Sequence, residues 1–263
     1  MATILIGTSG YSYTEWVGPF YPEGTKAESY LSHYATIFPT VELNFSYYRM
    51  PQAEKLLAMH DQAPGIGYAI KAHESLTHTI DLANWRSSAQ TYRTAVTALQ
   101  DRGALRAILF QFPYSFHYEP DRRKYLDQLL RTFEGFPLAV EFRNAQWYNN
   151  RTLDALRERQ VALASLDLPD IKSSPPMMDV ATSALSYVRL HGRNKECWWG
   201  SDAASRYDYL YSPQELSIIA QRIKSLATST RLVLVYFNNH RKGQATQNAL
   251  ILQKLITSGS IKR

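Results

Sequence analysis

The residues able to do chemistry in this sequence recur at the ends of short apolar runs. The clearest case is LAVEFRNAQW, residues 138 to 147. Side chains in an extended strand alternate between two faces, so Leu138, Val140 and Phe142 share one face while Glu141 and Arg143 share the other. A carboxylate and a guanidinium thus point the same way. The design repeats along the chain. Glu42 and Asn44 end TVELN, Lys71 and His73 end GYAIKAH, and Gln111 sits near the end of AILFQF. Ser165 and Asp167 end VALASLD, Arg189 and His191 end SYVRLH, and Asn238 and Asn239 close the run that begins at Leu232. Three acids, Glu42, Glu141 and Asp167, stand against three bases, Lys71, Arg143 and Arg189. Two arginines suit bidentate capture of a phosphate or carboxylate, and Lys71 adds a point charge. Glu42, Glu141, Asp167 and His191 are the candidate proton-transfer groups, since such neighbours adjust their pKa values. Asn44, Gln111 and Asn238 are suited to orienting a substrate.

The elements that position these groups follow from periodicity. ILIGTS at 4 to 9 is a further apolar run, giving eight expected strands. Helical spacing fills most gaps: Lys26 to Phe38 stopped by Pro39, a helix opened by Pro51, then Trp85 to Gly103, Asp121 to Phe133, Asn150 to Arg159 and Ala245 to Ile256. Ser212, Pro213 and Glu215 spell a capping box before another helix. Between 168 and 178, three prolines leave a weak helix at best. Eight strands alternating with about eight helices imply a parallel sheet with right-handed crossovers, the number that closes a single (β/α)8 TIM-type barrel over residues 1–263. Active sites of such barrels lie at the C-terminal ends of the strands, where the polar groups collect. An open doubly wound sheet is the competitor. It lacks support, because Gly7 and Gly10 do not have the spacing of a dinucleotide fingerprint and no nucleotide cofactor signature occurs elsewhere.

A balanced ring of charges also admits a plain reading, an ion-pair network that plugs the barrel. Buried pairs stabilise little, so a ligand site is the better reason for them. A divalent metal on Glu141, Asp167, His191 and Glu42 is disfavoured by the interspersed cations. Loop aromatics that follow strand ends, among them Tyr11, Tyr13, Trp16, Tyr47, Tyr48, Trp147, Trp198 and Trp199, would rise around the same mouth. Such rings suit sugars or nucleobases, or else pack the loops together; Trp16 and Trp147 are evenly divided between these readings.

Composition sets wider bounds. Hydrophobic residues at 45% and charged residues at 20% support a real core. The net charge of +6 permits an anionic partner without requiring one. Cys197 is the only cysteine, so no intrachain disulfide forms, and with no apolar run near the length of a bilayer the expected compartment is the cytoplasm with no membrane association.

The sequence also resembles a known family, the DUF72 (YecE-like) proteins. The matching stretches are GTSGYSYTEWVGPFYP at 7 to 22, YLSHYATIFPTVELNFSYYRMP at 30 to 51, IKAHESLTH at 70 to 78 and FQFP at 110 to 113. They continue with AVEFRNAQW at 139 to 147, YVRLHGR at 187 to 193, YDYLYS at 207 to 212 and YFNNHRKGQATQNA at 236 to 249. This resemblance implies a TIM barrel and supplies no reaction. Its stretches fall on Glu42, Asn44, Lys71, Gln111, Glu141, Arg143, Arg189, His191 and Asn238. One departure is Asn144, where the family motif often has histidine after the arginine.

Three functions follow as expectations. The first is an enzyme, a hydrolase or isomerase more than a redox catalyst, acting on a small anionic or sugar-containing substrate. Arg143, Arg189 and Lys71 would bind it, with Asn44, Gln111, Asn238, Trp16, Tyr48 and Trp147 around it. The second is nucleic-acid binding or metal-dependent phosphodiester cleavage, by analogy of fold with endonuclease IV. The third is a non-catalytic metabolite sensor or scaffold.

Overall fold

Each of the eight apolar runs forms a parallel strand: β1 (Thr3–Thr8), β2 (Thr40–Leu43), β3 (Gly67–Lys71), β4 (Leu105–Phe112), β5 (Leu138–Phe142), β6 (Ala162–Asp167), β7 (Leu185–Leu190) and β8 (Leu232–Phe237). The structure, a computed structural model, describes residues 2–172, 174–198 and 203–258. Helices occupy the connections: α1 (Tyr30–Ala35), α2 (Phe45–Tyr48), α3 (Ala53–Gln62), α4 (Trp85–Asp101), α5 (Pro120–Thr132), α6 (Asn150–Glu158), α7 (Ala203–Arg206), α8 (Pro213–Ala227) and α9 (Gln244–Ser258). Neighbours in the sheet run β1, β8, β7, β6, β5, β4, β3, β2. A parallel bridge from Ser9 to Glu42 then brings the two ends together, so the sheet is a (β/α)8 barrel. No helix among the described residues is long and apolar enough to cross a membrane.

Alternation sorts the strand residues into two cores. One cluster holds strand side chains together with those of the helices and is the outer layer. The other contains strand residues only, including Ala69, Ala107, Ala139, Ala164, Tyr187 and Tyr236, and is the barrel lumen. Small side chains on β3 to β6 leave room for the two large rings from β7 and β8, whose centroids are 5.3 Å apart. The Tyr236 hydroxyl lies 2.7 Å from the Thr40 hydroxyl, so the ring's polar end is satisfied inside the lumen.

Closure at β1 and β2 depends on one tyrosine. The Tyr34 hydroxyl from α1 accepts from the Thr8 backbone N–H at 2.8 Å and donates to the Thr40 carbonyl at 3.1 Å, joining the two strands side to side. Gly7 makes that approach feasible, because a Cβ there would meet the Thr40 carbonyl oxygen at 2.0 Å. On the opposite side the barrel is looser. Strands β5 and β6 pair only at Ala139 with Ala162 and Val140 with Leu163, so Glu141 and Arg143 extend beyond the last paired residues.

One local expectation shifts. α3 begins at Ala53, with extended Gln52 as its N-cap, so Pro51 precedes the cap instead of opening the helix. No helix spans the described residues between β6 and β7; Thr182 instead accepts from the Leu163 N–H and donates to the Val161 carbonyl, edging β6. A single turn, α7, lies in the long segment after β7. The capping box at Ser212 and Glu215 forms as expected.

Removing the Tyr34 hydroxyl leaves a buried N–H without its partner. Tyr34→Phe is therefore expected to cost about 1–3 kcal/mol, read by differential scanning calorimetry as a fall of roughly 3–10 °C in Tm; an unchanged Tm would show that the seam closes without it.

Candidate functional site

At the C-terminal end of the lumen, Arg189 lies between two carboxylates with almost no exposure to solvent. Its Nε and Nη2 donate to the two oxygens of Glu42 at 2.9 and 2.7 Å, and its Nη1 donates to Glu141 at 2.6 Å. Glu42 also accepts from the Tyr187 hydroxyl at 2.6 Å and from the Ser9 hydroxyl, which in turn accepts from Asn44 at 2.7 Å. Thus β1, β2, β5 and β7 are tied through one guanidinium. Burial alone would raise the Glu141 carboxyl, but Arg143 and Arg189 hold it well below the usual carboxylate range. It is a fixed anion.

Arg143 is the next layer outward. Its Nε lies 2.5 Å from Glu141, and its Nη2 donates to His191 Nε2 at 3.2 Å. An arginine only donates, so the Nε2 lone pair is the acceptor and the ring proton sits on Nδ1. Nδ1 is 2.9 Å from the Asn238 side-chain amide, whose two ends exchange by a half-turn and whose oxygen accepts that proton. Burial and the flanking arginines push His191 well below its ordinary pKa, so it is a neutral imidazole. Lys71 ends β3 with its Nζ 4.1 Å from the centre of the Tyr47 ring, and no carboxylate lies within ion-pair distance among the described residues. Burial and the Arg189 charge lower its amine to about 7.

Above these groups lies a cavity of about 300 Å³ lined by Tyr13, Asn44, Tyr47, Tyr48, Lys71, Gln111, Arg143, Arg189, Tyr207, Asn238 and His240. A second hollow of about 230 Å³ shares Gln111, Arg143 and Tyr207 with it and reaches His78, Leu168 and Trp198 past the splayed ends of β5 and β6. Together they form one cleft across the barrel mouth. Among the described residues no group of three His, Cys, Asp or Glu side chains is placed to hold a metal ion.

The profile of the family described as "Protein of unknown function DUF72" matches residues 5–262. The chain belongs to the DUF72 family. It is similar to the UPF0759 protein YunF of Bacillus subtilis (strain 168), 27% identical over 269 residues, covering 96% of this chain and 94% of that protein. Among solved structures, a DUF72 family protein of Thermotoga maritima has a TM-score of 0.90 and 32% identity, covering 97% of this chain and 99% of the other. Another from Enterococcus faecalis has a TM-score of 0.86 and 25% identity over 97% of this chain and 96% of its own.

Most polar residues expected at the mouth of this DUF72 barrel are brought together there. Asp167 is not. Leu166 and Ala164 occupy the lumen, so Asp167 faces the outer layer, where Arg193 and Arg222 donate to it at 2.7 and 2.8 Å and the Tyr211 hydroxyl at 3.0 Å. Trp16 is fully buried; it supports the Tyr13 ring at 4.7 Å and donates to the His240 carbonyl at 2.6 Å, behind the cavity wall. Trp147 stacks on Phe142, donates to the Phe116 carbonyl at 2.7 Å, and faces a groove between α5 and α6. Tyr48, 73% exposed, does line the cavity, and Trp198 lies under the second hollow with Arg143 5.9 Å from its ring. Trp199 falls outside the described residues. Asn144 faces away from Arg143, donating to the Tyr114 carbonyl at 2.9 Å and capping the following turn through Gln146 N–H, while His73 caps another turn through Ser75 N–H. Sequence reading overlooked Tyr207 and His240 as cavity walls, and Tyr187 inside the network. Tyr187 was accessible, since it shares its strand face with Arg189 and His191.

A depressed lysine carries a stability signature. Its folded value lies near 7 against 10.5 for the free side chain, so between those values the unfolded chain holds more protons and stability rises with pH. Lys71→Met is expected to stabilise the protein at pH 6 by about 1–2 kcal/mol after allowance for partial exposure. The gain should shrink by pH 10; equal gains at both pH values would contradict the depressed amine.

Proposed function

We propose that this DUF72 protein is an enzyme that binds a small anionic or sugar-containing substrate in the barrel-mouth cavity and carries out hydrolysis or isomerisation there. The observation that carries the reading is the state of the two cations facing the cavity. Arg189 is neutralised by Glu42 and Glu141, whereas Arg143 shares Glu141 through Nε and contacts His191 through Nη2, and Lys71 has no acid partner among the described residues. With Asp167 turned outward and His191 neutral, Arg143 and Arg189 balance Glu42 and Glu141 among the described residues, and the surplus positive charge is that of Lys71 in its ammonium form. An anion supplies the missing countercharge, gripped by Arg143 with Lys71 beside it. Asn44, Gln111 and Asn238 orient the rest of the substrate, and Tyr13, Tyr48 and Tyr207 offer ring faces to a sugar. A cavity of about 300 Å³ is at the small end of ligand pockets and suits one monosaccharide-sized molecule. Glu141 and His191 act through Arg143, fixing its plane. The single cysteine fits a reducing compartment, the cytoplasm.

Thermal melting of wild type and Arg143→Ala against inorganic phosphate, sugar phosphates, nucleotides, short oligonucleotides and divalent metals tests this. A ligand at a hundred times its Kd adds about 2.7 kcal/mol, roughly 5–10 °C here. The expected outcome is a shift with a small phosphate-bearing or carboxylate compound that Arg143→Ala abolishes. Shifts with oligonucleotides or metals alone would contradict the small-anion reading.

A further inference from the structure

We propose that Lys71 is a nucleophile that forms an imine with a carbonyl group of the substrate, a small oxo acid or an open-chain sugar phosphate whose anionic end is held by Arg143. This rests on the reading of the mouth as an anion site and adds a reaction to it. Among the described residues Lys71 is the one lysine lining the cavity, and it enters from β3, which fixes its Cα. The acids nearest to it are engaged elsewhere: Glu42 with Arg189, Tyr187 and Ser9, and Glu141 with Arg189 and Arg143. What faces the amine is the Tyr47 ring, the guanidiniums of Arg143 and Arg189, and His78, which its charge helps push down to about 4. Burial and the Arg189 charge outweigh the pull of Glu141 and Glu42, both already engaged by Arg189, so the ammonium form is weakly supported. A lysine in such surroundings is available as a free amine near neutral pH.

The step is balanced without any redox partner. The Nζ lone pair attacks the carbonyl carbon, the C–O π pair moves to oxygen, and a proton passes from the nitrogen to that oxygen to give a neutral carbinolamine. Protonation of the hydroxyl then expels water as the nitrogen lone pair forms the C=N bond, leaving a protonated imine. One amine, one carbonyl and one proton become one iminium and one water. That cation draws electrons from the adjacent carbon, which suits isomerisation, retro-aldol cleavage or decarboxylation.

Glyoxylate, which has a carboxylate for Arg143 and an aldehyde for Lys71, is the probe. It is incubated with the full-length protein and cyanoborohydride at pH 7, and modified lysines are mapped by peptide mass spectrometry. The borohydride hydride adds to the imine carbon and fixes it as a secondary amine. Lys71 is expected to be labelled at least about tenfold faster than the exposed Lys55, Lys124 and Lys242, and Arg143→Ala to remove most of that advantage. Labelling of Lys71 no faster than of the exposed lysines overturns the proposal. If inorganic phosphate still raises wild-type Tm in an Arg143-dependent way, the anion site stands and only the imine fails; if phosphate has no effect, the anion site itself is wrong. Rapid Lys71 labelling unaffected by Arg143→Ala would overturn the anchoring by Arg143.

Discussion

The structure depends on a buried guanidinium shared by two carboxylates. Arg189 lies in the lumen with Glu42 and Glu141, all three shielded from water, and removing Arg189 leaves Glu42 a buried carboxylate without its cation. Desolvation of three charges makes such a triad a poor source of stability, and hydrophobic side chains of the same volume would do as well or better. Its value lies in geometry. Glu141 orients Arg143 from below, His191 holds it from the side, and Asn238 sets the His191 tautomer. The cavity floor is therefore held from beneath by ion pairs and hydrogen bonds.

The barrel is shaped to permit that layer. Alanines on four adjacent strands make space for Tyr187 and Tyr236, and Tyr187 in turn gives its hydroxyl to Glu42. Tight closure between β1 and β2, through Tyr34 and Gly7, places Ser9 against Glu42. Early divergence of β5 from β6 leaves Arg143 at the junction of the two hollows, where one side chain borders both. A substrate larger than the first hollow has room to extend into the second.

Much of this was legible in the sequence. Short apolar runs located all eight strands, and period-two alternation grouped Glu141 with Arg143 and Arg189 with His191, because each of those two strands has an apolar face to contrast with a polar one. VALASLD has no such contrast. Ser165 and Asp167 share their face with Val161 and Leu163, and the other face carries Ala162, Ala164 and Leu166, so the pairing of Ser165 with Asp167 was evident while the side they face was not. The arginines that receive Asp167 come from 26 and 55 residues later, beyond any local pattern. Trp16 and Trp147 were placed near the mouth by their position after strand ends, yet each indole N–H is bonded to a loop carbonyl and the ring supports others that line the cleft or pack behind it. His240 could not be read from periodicity; it reaches the cavity because it stacks on Tyr13, 4.7 Å away, across the β1 and β8 loops.

The central claim is that the Glu42, Arg189 and Glu141 triad serves the site and not the fold. The direct measurement is on one combined variant, Glu42→Leu with Glu141→Met, Arg189→Met, Tyr187→Phe and Ser9→Ala, which removes the three buried charges together with the two hydroxyls that donate to Glu42. Its Tm and its binding of inorganic phosphate by titration calorimetry are compared with wild type. The account expects a Tm within about 5 °C of wild type, or above it, together with loss of phosphate binding. Collapse of the fold, or phosphate binding retained at wild-type strength, would contradict it.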